Sequence, residues 1–307
     1  MLDPEQLYRV EADAPQLDAP VLLVALDGFV DAGNAARLAV AAIREGREAV
    51  PVVRFDVDQL VDYRSRRPPL RFETDHWAAY EAPELDVVAL TDAGGTPYLL
   101  LSGPEPDTQW ERFSAAVGRI VERFGVRLVV NMTAIPMAVP HTRPIGITVH
   151  GTRPELTEGH EAWFATAEVP GSAVALMEFR LGEAGRDAMG FAVHVPHYLA
   201  RAEYPQAARV LLDHVGMAAG LFLPTESLSV AAQQAEAEIT AQVEASEEVA
   251  QVVQALERQY DMATAGRGRR TATGLGGELP SADELAAEVE RFLAGQEGEE
   301  PPDRSAG

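Results

Sequence analysis

Six short runs rich in Val, Leu, Ile and Ala punctuate the chain, at 21–26, 48–55, 98–102, 127–132, 146–150 and 190–195. Each is too short for a helix and is bounded by Gly, Pro or Asp. Apolar on both phases of a two-residue repeat, they have the pattern of strands buried on both faces. Between them lie four stretches, 34–45, 108–124, 171–181 and 204–220, where apolar positions recur with helical spacing and predict amphipathic helices. Strands alternating with helices predict an α/β sheet, largely parallel and covered on both faces.

Three segments break this rhythm. In "LDVVALTDAGGTPYLLLSG" two apolar runs flank Ala93-Gly94-Gly95-Thr96, which predicts a β-hairpin at about 84–102, either an edge extension or an oligomer contact. "DYRSRRPPLRFE" is a loop whose small basic cluster is expected to pair with carboxylates. Beyond Pro224 the strand signal ends. "ESLSVAAQQAEAEITAQVEASEEVAQVVQALERQYD" predicts one or two acidic amphipathic helices, "TAGRGRRTATGLGGE" a flexible connector, and "PSADELAAEVERFLAG" a last helix opened by the capping box Ser281–Glu284. The expected organisation is a core at 1–225, a helical appendage or lid at 226–295, and a disordered acidic tail at 296–307.

Charge and composition narrow the chemistry. A net charge of −23 argues against nucleic acid, whose affinity comes from basic groups on phosphates, and against an anionic membrane surface. There is no Cys, which removes thiol catalysis, iron–sulfur clusters and cysteine zinc sites. All 25 basic residues are Arg, so Schiff-base chemistry and a P-loop lysine are also removed. The acidic N-terminus has no apolar signal segment and no run is long enough to span a bilayer, so a soluble, cytoplasmic protein is expected.

In an open α/β sheet ligands sit beyond the carboxyl ends of the strands. The segments that follow the predicted strands carry Asp27, Gly28, Asp31 and Asn34, then Glu105 and Asp107, then "PHTRP" with His141 and Arg143, then His150, and finally "HVPHY" with His194 and His197. Convergence of these loops would make one site, with Asp27, Asp31 and Asn34 holding a ligand, His141 as acid or base and Arg143 as an anion clamp. Each element also has a structural reading: Asp31 and Asn34 cap a helix, Arg143 pairs with an acid, and the histidines bond loop backbone. "GFVDAG" matches neither nucleotide fingerprint, no G-x-S-x-G elbow occurs, and no metal or other cofactor is predicted.

Five segments, "LDGFVDAGNA", "FDVDQLVDYRSRRP", "LLLSGPEPDTQWERF", "IPMAVPHTRP" and "GFAVHVPHYLA", occur in an order that resembles the proteasome assembly chaperone family, in its bacterial, actinobacterial-type branch once labelled ATP-grasp-like. The resemblance runs from about Leu17 to Gln259. It implies a three-layer α/β/α core like that of nucleoside phosphorylases and peptidyl-tRNA hydrolases. It also implies a β-hairpin insertion used in oligomerisation, with a trimer as one arrangement, and a C-terminal helical segment that can cover the pocket. Relatives outside bacteria chaperone proteasome α subunits, many through a hydrophobic-Tyr-X tail; this sequence ends "DRSAG", and docking through such a tail is not expected. The function implied is that of a non-enzymatic, homo-oligomeric assembly protein whose partners are itself and proteins such as proteasome subunits. The alternative is an enzyme or small-ligand binder of nucleoside phosphorylase or hydrolase type.

Overall fold

The computed structural model describes residues 2–160, 162–163 and 166–270. Its strands are β1 (Tyr8–Val10), β2 (Val21–Asp27), β3 (Val50–Phe55), β4 (Leu70–Glu73), β5 (His76–Tyr80), β6 (Asp86–Thr91), β7 (Pro97–Pro104), β8 (Leu128–Met137), β9 (Ile147–Gly151) and β10 (Ala188–Pro196). Eight of them form one sheet in the order β1-β3-β6-β7-β2-β8-β10-β9, while β4 and β5 pair only with each other. The centre, β7-β2-β8-β10, is parallel, and the other four pairings in this sheet are antiparallel. The expectation of a largely parallel sheet is therefore corrected to a mixed one. The tight turn at 93–96 folds β7 back on β6, and β9 returns against β10 in place of a crossover.

The hairpin at 84–102 forms as β6 and β7, but it is not a projecting insertion. β7 bonds to β2 along six residues, from Leu22↔Leu99 to Asp27↔Pro104, which puts the hairpin inside the sheet. The segment that does leave the core is the β4–β5 arm. Its burial pattern is exposed at every residue but one; "LRFE" does alternate apolar with polar residues, but only for four positions directly after Pro68-Pro69, too short a run to separate from a loop.

Helices α1 (Ala35–Arg44) and α4 (Pro205–Ala219) cover one face of the sheet, and α2 (Trp110–Arg123) and α3 (Ala173–Glu183) cover the other. The central strand β2 shows why its sequence is apolar throughout. Val21, Leu23 and Ala25 enter the core under α1 and α4, whereas Leu22 and Val24 enter the core under α2 and α3. Each buried Leu there stabilises by about 1.5–3 kcal/mol, and Leu23→Ala would cost about 2–5 kcal/mol once the cavity is included. α1 turns Ala35, Ala36, Ala39, Ala42 and Ile43 inward, small side chains that bring it close to α4. α3 starts where Ser172 Oγ accepts the Ala175 N–H at 3.1 Å, and α4 starts on Pro205 and stops at Gly220 in the left-handed region.

α5 (Glu226–Ala245) and α6 (Glu247–Arg270) follow. α5 buries Leu228 and Ala232, and α6 buries Val253 and Leu256. The compact unit Met1–Met262 takes in the sheet, α5 and most of α6; in the second unit, Ala263–Gly307, the described residues are helical to Arg270. The helix expected at 280–295 and the acidic tail lie outside the described residues, as does the connector beyond Arg270. Among the described residues no helix is long and apolar enough to cross a membrane.

A candidate site at the switch point of the sheet

β2 leads into α1 on one face, and its neighbour β7 leads into α2 on the other. Where adjacent parallel strands part in this way, their carboxyl ends open a crevice, the usual ligand position of an open α/β sheet. A pocket of about 1100 Å³ lies there. Its floor is Asp27, Gly28, Gly103, Pro104 and Glu105, and one wall is the base of the arm, Arg66–Pro69 and Glu81–Glu84. Trp110, Pro170 and Gly171 close the opposite side. Gly103 has φ +131, and a Cβ there would meet the Glu84 carbonyl at 2.1 Å, so only glycine lets the arm's return strand pass this close.

Six of the eleven candidate residues line this pocket: Asp27, Gly28, Asp31, Asn34, Glu105 and Asp107. Asp31 uses its carboxylate on the helix it precedes, with Oδ1 accepting the Ala36 N–H at 2.8 Å and Oδ2 accepting the Arg37 N–H at 3.0 Å. Asn34 departs from its expected capping role: it sits in the left-handed region at φ 50 and makes no side-chain cap. Glu105 is buried and bridges two elements. It accepts the N–H of Ala173, the first residue of α3, at 2.6 Å and the N–H of Phe29 at 3.3 Å. Gly28 makes room for it, since a Cβ there would stand 2.4 Å from Glu105 Oε2.

Among the described residues the Asp27 carboxylate has no such partner. Although its side chain keeps an exposed surface, lost hydration in the crevice and the neighbouring Asp31 push its carboxyl above the usual carboxylate range, against the pull of Arg37 and Arg66. Burial also raises Asp31, although the N–H groups of Ala36 and Arg37 oppose it. Arg66 donates to the Asp27 carbonyl at 3.0 Å and pairs with Asp107 at 2.5 Å, which is the pairing with carboxylates expected for the basic cluster. Asp107 also accepts the Asp62 N–H at 2.7 Å, so it ties the arm's approach to β7's exit and does not cap α2.

The other five candidates lie elsewhere, and the predicted convergence of histidine loops is corrected. β9 runs antiparallel to β10, so the segment after it leaves at the opposite edge of the sheet, with Gly151 beside Met189 at the start of β10. His150 Nδ1 lies 2.7 Å from Glu178 on α3, whose other oxygen accepts from Asn131 at 2.6 Å. His194 is fully buried, bonds Thr148 at 2.8 Å and meets the Trp163 ring edge-on. His141 bonds the Tyr198 hydroxyl at 2.7 Å, next to which His197 packs edge-on; burial holds His141 below the usual imidazole range. Arg143 is not an anion clamp: it grips Asp261 of α6 through Nε and Nη2 at 2.8 and 2.7 Å and Glu257 at 3.2 Å.

None of the residues that line the pocket comes from α5 or from α6 up to Met262, so this part of the C-terminal helices does not cover it. α6 closes instead on the loop at 141–144, where Thr142 donates to Glu257 and Tyr260 donates to the Pro144 carbonyl. Arg66, Glu84 and Trp110 are pocket residues that the sequence reading did not single out. For Arg66 and Glu84 the signal that could have found them is the proline-bounded stretch from "SRRPP" to "EAPE", which places charges at both feet of an excursion; Trp110 lies outside it. Among the described residues, no group of three or more His, Asp and Glu is arranged to hold a metal ion.

The model of the PAC2 family matches residues 25–243 of this chain. No curated protein matches it. Among solved structures, a Mycobacterium tuberculosis protein of unknown function, Rv2714, is 47% identical with a TM-score of 0.82, over 86% of this chain and 92% of its own. A Corynebacterium glutamicum protein of unknown function is 36% identical with a TM-score of 0.80, over 83% and 97%. The M. tuberculosis proteasome-assembly chaperone homologue Rv2125 is 26% identical with a TM-score of 0.70, over 76% and 99%. The matched stretch begins in β2 and takes in the whole arm, both helices that flank the switch point and every strand from β3 to β10, and on that ground the chain belongs to the PAC2 family.

Proposed function

We propose that this protein is an assembly or chaperone-type protein that acts as a homo-oligomer through protein contacts and not by catalysis. The observation that carries this reading is the β4–β5 arm. Leu70, Phe72, Trp77 and Tyr80 are each more than half exposed, and the Phe72 and Trp77 rings pack edge-on at 5.1 Å. An exposed aromatic cluster of this kind on a two-stranded hairpin is costly in water and is relieved by a partner surface. A second copy of the chain is the occupant we assign to it. Membership of a family that includes a proteasome-assembly chaperone homologue supports a protein partner as well, with proteasome subunits the class to examine.

A phosphorylase- or hydrolase-type enzyme has weaker support. Its proposed acid or base, His141, and its anion clamp, Arg143, are committed to Tyr198 and to α6, away from the pocket. Multi-angle light scattering of the wild type and a Phe72→Ser/Trp77→Ser variant tests the proposal. A wild-type oligomer that falls to a folded monomer in the variant is the expected result. A monomeric wild type at micromolar concentration, or a variant with unchanged mass, overturns it.

A further inference from the structure

We propose that the switch-point pocket is a docking site for an arginine or lysine side chain carried on an extended segment of a partner protein. This rests on the assembly reading above and names the chemistry it recognises. The first ground is what has happened to the two helix N-termini at the crevice. Such ends ordinarily attract phosphate, because their free N–H groups and dipoles point at the ligand. Here the α1 end is taken by the Asp31 carboxylate and the α3 end by Glu105 and Ser172. A crevice of the type that usually holds anions has had its anion positions filled by the chain's own acids.

The second ground is an account of the remaining charges. Asp31, Glu105 and Asp107 spend their oxygens on backbone N–H groups and Arg66, while Arg37 reaches Glu203 at 3.1 Å. Among the described residues that leaves the side chains of Asp27, Glu81, Glu84 and Arg67 in the lining without a hydrogen bond or ion pair, three negative charges against one positive. Asp27 is already raised by burial and by Asp31, and a cation placed beside it reverses that penalty.

The third ground is the apolar rim. Phe29 is 75% exposed at the mouth, and the Trp110 indole N–H is spent on the Pro106 carbonyl at 2.5 Å, so its ring offers only an apolar face. Prolines at 68, 69 and 104 complete the surface. Arg and Lys are the side chains that match it, an apolar stem with a cationic head that stacks on aromatic rings. The volume, about 1100 Å³, lies at the upper end of the roughly 300–1000 Å³ of ligand sites and leaves room for a side chain with its flanking backbone. A net charge of −23 favours encounter with a basic partner.

The test measures binding of the labelled full chain to an array of short peptides randomised around one fixed arginine, beside a matched array with neutral citrulline in its place. Arginine peptides that bind at least about tenfold more tightly than their citrulline counterparts are expected, since charge-assisted bonds to a carboxylate carry that much. Asp27→Asn with Glu84→Gln should abolish the preference while the mass by light scattering stays unchanged. Equal binding of the two arrays, no arginine binding at all, or a preference that survives in the variant overturns the proposal. So does free agmatine that binds as tightly as the peptides, which would make this a small-amine site. If the arrays fail while the arm variant still dissociates the oligomer, the pocket assignment falls and the assembly reading stands.

Discussion

Glu105→Gln isolates what the buried carboxylate contributes, because the side-chain volume is kept and one oxygen becomes an NH2 group. The bond to the Ala173 N–H is 2.6 Å and buried; the amide oxygen can keep it, but a charged acceptor is worth about 1.5–3 kcal/mol and a neutral one about 0.5–1.5, a loss of about 1–1.5 kcal/mol. The bond to Phe29 at 3.3 Å is longer and adds under about 1 kcal/mol. Loss of the negative charge at the start of α3 costs about 0.3–1 kcal/mol more through the helix dipole. The expected loss is therefore about 1–3.5 kcal/mol, which for a chain of this size lowers Tm by about 3–10 °C. Urea unfolding followed by circular dichroism should show a lower midpoint with an unchanged slope. Gly28→Ala strikes the same contact from the other side, as its Cβ would stand 2.4 Å from Glu105 Oε2. The double variant should lose less than the sum of the singles, because the second change has no intact contact left to disrupt. An E105Q midpoint within about 0.5 kcal/mol of wild type, or strict additivity with G28A, would refute the bridging role.

Two further outcomes follow from groups left without partners. Tyr98 is fully buried, its hydroxyl has no hydrogen-bond partner among the described residues, and burial pushes its phenol up to about 12, so Tyr98→Phe should leave the urea midpoint unchanged or raise it by up to about 1 kcal/mol. Asp27 has a folded pKa above its unfolded value, so its ionisation costs stability at neutral pH and the cost fades as pH falls through the raised value toward the unfolded one. Asp27→Asn should accordingly raise Tm at pH 7, by an amount on the order of one degree for so exposed a group, and the advantage should vanish near pH 3; a difference constant with pH would show that the carboxyl is not the cause.

Local rules carried the sequence a long way here. The strands buried on both faces and the four amphipathic helices were legible because burial on both faces demands continuous apolar runs and a half-buried helix demands its repeat. The 93–96 turn was equally readable, and the helices expected at 171–181 and 204–220 begin within two residues of those bounds, at Ala173 and Pro205. Likewise Asp31 caps α1 because its carboxylate needs only N–H groups five and six residues away.

What only the tertiary structure decided is who meets whom across the sheet. Strand order puts β7 beside β2, and that alone joins Glu105 to Gly28 and opens the pocket between segments some seventy residues apart. Strand direction carries His150 to the far edge, and the docking of α6 claims Arg143, so residues that looked like one constellation are dispersed. The arm escaped notice because its two strands are only four and five residues long and follow Pro68-Pro69, so the alternation in "LRFE" is too brief to stand apart from a loop. Side-chain type is written residue by residue, but convergence depends on register and direction, which are set by long-range pairing that no local pattern encodes.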